Sequence, residues 1–331
     1  MRVSGKLAPL GLALLLIGLL TLGMNWEAAA VPLRRALLPS PMAEGESGAP
    51  CVSSAPSPPG ETPVPEVLVT TLSSAGDQDI RETTIRATQL LKNETAYSVS
   101  PEELLSGGPS LRLPAEGPQI LIIHTHGSEA YTPAGLDRYD ASDSNRTQDP
   151  RYSVIRVGDE LASCLEEQGL RVLHDREIYD YPSYTGSYSR SGEAVERYLQ
   201  QYPDIAVVFD LHRDALGADG VVYKTMAEEE GTTASQIMLL VGTDESGLEH
   251  PDWRRNLALA LYLQNAVNSA CPTLMRPVNL VPQRYNQQLT PGSLIVEVGS
   301  SGNTLREALA AVRLFGRAIG PALAELAVYG E

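Results

Sequence analysis

Gln119-Ile120-Leu121-Ile122-Ile123-His124-Thr125-His126-Gly127-Ser128-Glu129 is the stretch on which the reading of this chain turns. A short apolar run that stops at two histidines and a glutamate is a buried strand delivering imidazole and carboxylate to one rim of a sheet. In open α/β sheets, ligands and chemistry lie outside the carboxyl ends of the strands. The chain holds five histidines in all, so a pair within three residues asks for a reason. His126-x-x-Glu129 also has the spacing by which a short loop offers one nitrogen and one oxygen ligand to zinc.

Downstream the pattern is regular. Val154, Val157, Leu161 and Leu165 recur at helical spacing and Gly169 stops the run. Leu170–Leu173 reads as a second strand, and a helix opened near Ser189 or Ser191 carries Val195, Tyr198 and Leu199. Ile205–Phe209 is apolar on both faces, as a central strand is. Val221–Lys224 and Ile237–Val241 read as adjacent strands, a hairpin or an edge excursion. A helix from Trp253 to about Ser269, a last buried strand at Leu294–Val296 and a closing helix from about Thr304 to Ala327 complete the series. Near-continuous apolar strands separated by helices indicate a sheet covered on both faces. The predicted fold class is α/β: one three-layer αβα domain with a mostly parallel sheet, over residues 111–331. No internal repeat is present.

Working upstream, residues 67–110 are mixed, with a weak strand at Val67–Val69 and a short helix predicted over Asp79–Leu91. This extension either packs on the domain or stays mobile. Residues 31–66 form a linker, rich in Pro, Ser, Gly and Glu between Pro39 and Pro65, with too little apolar surface to collapse. Leu7–Met24 is an uncharged apolar stretch of 18 residues behind Arg2 and Lys6. Its length matches the roughly 17–25 residues that span a bilayer, and the basic flank places the N-terminus in the cytoplasm. Residues 1–30 are therefore expected to anchor the protein by a transmembrane helix. Ala28-Ala29-Ala30 supports the rival reading of a cleaved signal peptide. Both put the bulk of the chain outside the cytoplasm, and the anchored form holds it at the cell membrane. With 41 acidic and 25 basic residues the formal charge is −16, which excludes nucleic acid as a partner. Cys51, Cys164 and Cys271 have no metal spacing. Cys164 falls on the apolar face of its helix, and a Cys164–Cys271 pairing stays open.

Two more strand ends point to the rim that His126 and Glu129 occupy. Ile205–Phe209 leads into Asp210-Leu211-His212-Arg213-Asp214, and Leu294–Val296 into Glu297-Val298-Gly299. If these strands are parallel, His126, Glu129, His212 and Glu297 converge. A catalytic zinc takes three protein ligands and leaves a position for water. A carboxylate beside that water acts as general base, which is the logic of metal-assisted amide hydrolysis. Each residue alone has a plainer reading: a histidine at a strand end is commonly a hydrogen-bonded structural residue, and Glu129 suits the N-terminal end of a helix. Glu297 is harder to set aside, because a carboxylate buried after an apolar strand needs a partner.

Ile122-Ile123-His124-Thr125-His126-Gly127-Ser128-Glu129-Ala130-Tyr131 resembles the opening motif of the stage II sporulation protein P family. Asp180–Ser191, Asp210–Asp214, Tyr285-Asn286-Gln287, Glu297-Val298-Gly299 and Asn303-Thr304 carry the resemblance to the C-terminus, from about Pro118 onward. It implies an amidase-like domain and a cell-wall hydrolase of endospore-forming bacteria, similar to zinc N-acetylmuramoyl-L-alanine amidases. Those cut the amide joining glycan lactyl groups to stem peptides, and the family is also credited with endopeptidase action on cross-links. It further implies peptidoglycan as substrate, Zn2+ as cofactor, and stage II sporulation proteins D and M as partners in remodelling the septum during engulfment. By the same resemblance His126 and His212 are metal ligands and Glu297 is the general base, with His124 one step inside the strand end. Glu129 is preferred to Asp149 as the carboxylate ligand. Arg190 is structural or substrate-facing. Arg213 either holds a substrate carboxylate or pairs with Asp210 or Asp214. Tyr residues between Tyr179 and Tyr188 stack on sugars or pack the loop. A metallocarboxypeptidase, with Arg213 gripping a C-terminal carboxylate, and a metal-free wall-binding scaffold are the competing readings.

Overall fold

The computed structural model describes residues 67–71, 79–86, 89–142, 145–218 and 220–327. In chain order the elements are β1 (Val67–Thr71), β2 (Asp79–Ile85), β3 (Leu91–Asn93), α1 (Pro101–Gly107), β4 (Ile120–Ile123), α2 (Val154–Glu166), β5 (Val172–His174) and α3 (Ser187–Gln201). They continue with β6 (Val207–Asp214), β7 (Gly217–Ala218), β8 (Val221–Glu229), β9 (Thr232–Ser235), β10 (Ile237–Gly242), α4 (Trp253–Ala270), β11 (Val278–Val281), β12 (Ser293–Ser300) and α5 (Leu305–Ala324).

Seven strands form the main sheet in the order β3-β11-β10-β12-β6-β4-β5. Neighbours are parallel except at β10–β12, where they are antiparallel. The sheet is therefore two parallel blocks of opposite direction. β12, β6, β4 and β5 share one direction, so their carboxyl ends open on a common rim.

Side-chain alternation then sorts residues between the two faces. Ile120 and Ile122 of β4, Val207, Phe209 and Leu211 of β6 and Val296 and Val298 of β12 enter the larger core, with α2, α4 and α5. Leu121, Ile123 and Val208 enter a smaller core against Ala194 and Val195 of α3. The helices form because their apolar stripes match these faces, and α2 and α5 are also capped at their first turns. Ser153 Oγ accepts from the Ile155 amide at the start of α2, and Thr304 with Glu307 makes a reciprocal capping box at the start of α5.

His124 follows Ile122 in phase and so points to the α2 face. There it is fully buried, its Nδ1 3.0 Å from the Leu211 carbonyl and its Nε2 2.8 Å from His174 Nε2. A carbonyl only accepts, so Nδ1 carries the proton and Nε2 accepts from His174. Burial pushes the His124 pKa down to about 3, which keeps the ring neutral. Gly158 of α2 makes room for the pair: a Cβ there would stand 2.6 Å from both Nε2 atoms. Gly158→Ala is accordingly expected to destabilise the fold by about 1–3 kcal/mol, read as a lower urea midpoint. An unchanged midpoint would contradict this packing.

Several expectations need correction. Asp79–Leu91 is not a helix. Its β-branched residues Ile80, Thr83, Thr84 and Ile85 favour an extended backbone, and β2 pairs in parallel with β8. Val221–Lys224 and Ile237–Val241 do not form a hairpin together. β8 turns back on β9 within a second, five-stranded sheet, while β10 enters the main sheet. Lys224 Nζ, 2.9 Å from both Glu82 and Glu307, ties that second sheet to α5. Between residues 79 and 107 the chain gives one strand to each sheet, and α1. Cys164 is half-buried and Cys271 buried, both as free thiols. Leu7–Met24, the linker 31–66 and Cys51 lie outside the described residues, among which no helix is long and apolar enough to cross a membrane.

Candidate active site

Alternation along β6 places Asp210 and His212 on the α3 face, and Glu297 occupies the same face of β12. In the parallel pairing of these strands Glu297 is directly abreast of His212. The register slips immediately beyond Glu297, with Gly299 at φ +65°, so the two side chains sit where regular pairing ends. After β4 the chain turns, the Glu129 amide donating to the His126 carbonyl at 3.0 Å. This turn brings His126 and Glu129 to the end of β6. Glu129 Oε2 lies 3.6 Å from His212 Nδ1, and the His126 and His212 rings stand perpendicular with centres 5.4 Å apart. All three are buried, at 6, 4 and 4% exposure for His126, Glu129 and His212.

Their charges are set by the surroundings. Burial opposes ionisation of Glu129, but Arg213, His212 and Arg146 outweigh it and hold its carboxyl well below the usual range. Burial likewise opposes charge on His212, yet Asp210 and Glu129 raise its pKa well above the ordinary value. His126, chiefly by burial, falls to about 3. The pocket thus keeps one imidazole neutral and favours positive charge beside two carboxylates.

Arg213 is fully engaged within the protein. Its Nε donates to the Ala130 carbonyl at 3.0 Å and its Nη2 to the Asn145 carbonyl at 2.9 Å, while Nη1 lies 3.6 Å from Glu129. It pairs with neither Asp210 nor Asp214; Asp214 takes Arg276 at 2.8 Å. Arg190 is a loop brace, donating to the carbonyls of Tyr179, Thr185 and Ser183. Asp149 turns to Arg151, 2.6 Å away, with Thr147 Oγ1 accepting from its own amide. Its contacts include neither histidine, whereas the Glu129 carboxylate faces His212. His124, on the opposite face, supports the site only from behind.

Three residues join that were not singled out from the sequence. Asp210 Oδ1 lies 2.9 Å from His212 Nε2. Asp180 accepts from the amide and hydroxyl of Ser128, the latter at 2.6 Å, and from Arg146. Arg146 also reaches Glu129 at 3.4 Å and lies over the Tyr184 ring, 4.9 Å from its centre. Tyr184 in turn stacks on His126 with centres 4.5 Å apart and planes 8° from parallel. Asp180 and Asp210 lie inside motifs quoted above. Arg146 sits in a Ser- and Asp-rich loop with no pattern to mark it.

Among the described residues, no group of three or more His, Cys, Asp or Glu side chains is already arranged to hold a metal. The donor chemistry nevertheless suits a divalent cation. His126 Nδ1 is buried without a hydrogen bond, and His212 presents its Nδ1 to Glu129 Oε2 at 3.6 Å, leaving its Nε2 to Asp210. An ion bound along a ring nitrogen at ~2.0–2.1 Å lies roughly 3 Å from the ring centre, so rings 5.4 Å apart are close enough to share one.

The chain resembles solved N-acetylmuramoyl-L-alanine amidases. AmiC2 of Nostoc punctiforme is 15% identical, covering 64% of this chain and 98% of that one, with a TM-score of 0.36. Ami1 of Mycobacterium smegmatis is 12% identical, covering 65% and 99%, with a TM-score of 0.37. A curated stage II sporulation protein P from Bacillus subtilis (strain 168) is 26% identical over 202 residues, 57% of this chain. The match spans about half of that relative, 47% of its length. The family model for stage II sporulation protein P matches residues 53–320, reaching from the linker through almost all of α5, and the chain belongs to that family.

Proposed function

We propose that the protein is a zinc-dependent peptidoglycan hydrolase acting during sporulation. It cuts the amide between glycan strands and stem peptides, with cross-link cleavage as a second activity. One observation carries this reading: His126, Glu129 and His212 meet in one buried cluster with Glu297 abreast of His212. His126, Glu129 and His212 would hold the ion. When bound, zinc supplies Lewis acidity that makes water a nucleophile near neutral pH and polarises an amide carbonyl.

The remaining work falls to the chain's own groups. Glu297 accepts a proton from the attacking water and returns it to the leaving nitrogen, as a general base and then acid. Arg213 and Arg146 keep Glu129 ionised. Tyr184, half out in solvent and stacked on His126, offers an aromatic face to an incoming sugar. The N-terminal segment tethers the enzyme to the membrane, and stage II sporulation proteins D and M are its proposed partners.

A carboxypeptidase needs a cation ready to grip a terminal carboxylate, and Arg213 is committed to Glu129 and two carbonyls. The amide reading is therefore preferred. Digestion of purified sacculi with the full chain, followed by mass analysis, tests it. Release of intact stem peptides, abolished by a chelator and restored by zinc, is expected. Binding to sacculi without any product would favour a scaffold instead.

A further inference from the structure

Five residues outside the ligand set form a continuous chain of contacts behind the two histidines. Asp210, 8% exposed, places Oδ1 2.9 Å from His212 Nε2. The contact is one of charge and distance, since that nitrogen makes no aligned hydrogen bond. Both carboxylate oxygens are fixed from the other side: the Thr125 amide donates to Oδ1 at 2.8 Å and the Thr125 hydroxyl to Oδ2 at 2.6 Å. Thr125 Oγ1 lies 2.7 Å from Ser191 Oγ on α3. Ser191 Oγ lies 3.3 Å from Asn286 Nδ2, which donates to the Tyr188 carbonyl at 2.7 Å. The Tyr188 ring meets the edge of His126, centres 5.5 Å apart. The chain thus begins at one imidazole and ends at the other.

Backbone strain occurs at its far end. Tyr285 and Asn286 have φ of +51° and +61°, a region costly for a bulky residue such as tyrosine and better tolerated by asparagine. Asn286 packs against Gly192, where a Cβ would come within 3.1 Å of its amide. The Tyr285-Asn286-Gln287 motif and the Ser191 end of the Asp180–Ser191 motif thereby acquire a role that the ligand set alone leaves unexplained.

We propose that Asp210 is a positioning residue for His212, and that Thr125, Ser191 and Asn286 hold it there, so that both imidazoles are preset for one divalent ion. Asp210 is not itself a ligand in this scheme, because Thr125 pins both of its oxygens and prevents it from swinging toward an ion. The proposal rests on the zinc reading above. Carboxylates that orient a ligating histidine typically change metal affinity by roughly 10–100-fold when removed.

The test is zinc affinity of the full chain, measured by competition with a chromogenic chelator, with melting of the metal-free protein recorded alongside. Asp210→Asn keeps the shape and removes the charge, and is expected to weaken zinc binding roughly 10–100-fold. Thr125→Val should weaken it in the same direction, while Thr125→Ser, which keeps the hydroxyl, should restore wild-type affinity. The Thr125 pair decides the matter if Asp210→Asn fails to fold. Wild-type affinity in Asp210→Asn, or in Thr125→Val, would overturn the positioning role alone. A wild-type chain that takes up no zinc would overturn the metal reading and this proposal together.

Discussion

Glu297→Gln is expected to lower the release of stem peptides from sacculi by about 10²–10⁴-fold, the usual contribution of a positioned acid–base group. Glutamine has almost the same shape, so the pairing of β12 with β6 survives, and zinc content should match the wild type. What is removed is the carboxylate abreast of His212, on the same face of the sheet. An alternative in which Glu297 only packs the strand end predicts an active variant. Mass analysis of products, with zinc content measured on the same samples, separates the two. Full activity with normal zinc would remove the general-base role.

Glu129→Gln should cost both zinc and stability. The carboxylate is buried and faces Arg213 Nη1 at 3.6 Å and Arg146 at 3.4 Å, and it accepts from the Arg213 amide at 3.1 Å. Removing one partner of a buried pair costs about 3–5 kcal/mol, because the remaining charge is left uncompensated. Arg213 keeps its two carbonyl partners, so the lower end is expected. Denaturation in the presence of chelator isolates this effect from metal loss. The pH dependence follows from the depressed carboxyl of Glu129. Its stabilisation is full above the unfolded carboxyl pKa of about 4.3 and is lost as pH falls toward the lowered folded value. Wild type and variant should therefore differ at neutral pH and converge in acid. A gap of equal size at every pH would contradict the ion-pair account.

Legibility in the sequence followed physical distinctness. β4, β6 and β12 were evident because each is an apolar run bounded by polar residues, and that sufficed to bring His126, Glu129, His212 and Glu297 to one rim. β3 and β11 were not, since three- and four-residue strands containing Lys92, Asn93 and Asn279 carry no periodicity. The reversed direction of β10, β11 and β3 was equally hidden, because alternation fixes a face and not a direction. His124 could have been assigned to the far face by its phase with Ile122. Arg146 and Asp180 could not have been paired, because only the closing of two separate loops brings them together.

Zinc-edge anomalous diffraction from crystals of the full chain grown with zinc tests the central claim most directly. The account predicts a single peak bound by ring nitrogens of His126 and His212 and by the Glu129 carboxylate, at ~2.0–2.2 Å from each. No peak at this rim, or ring nitrogens of the two histidines more than about 5 Å apart in the zinc-grown crystals, would contradict it.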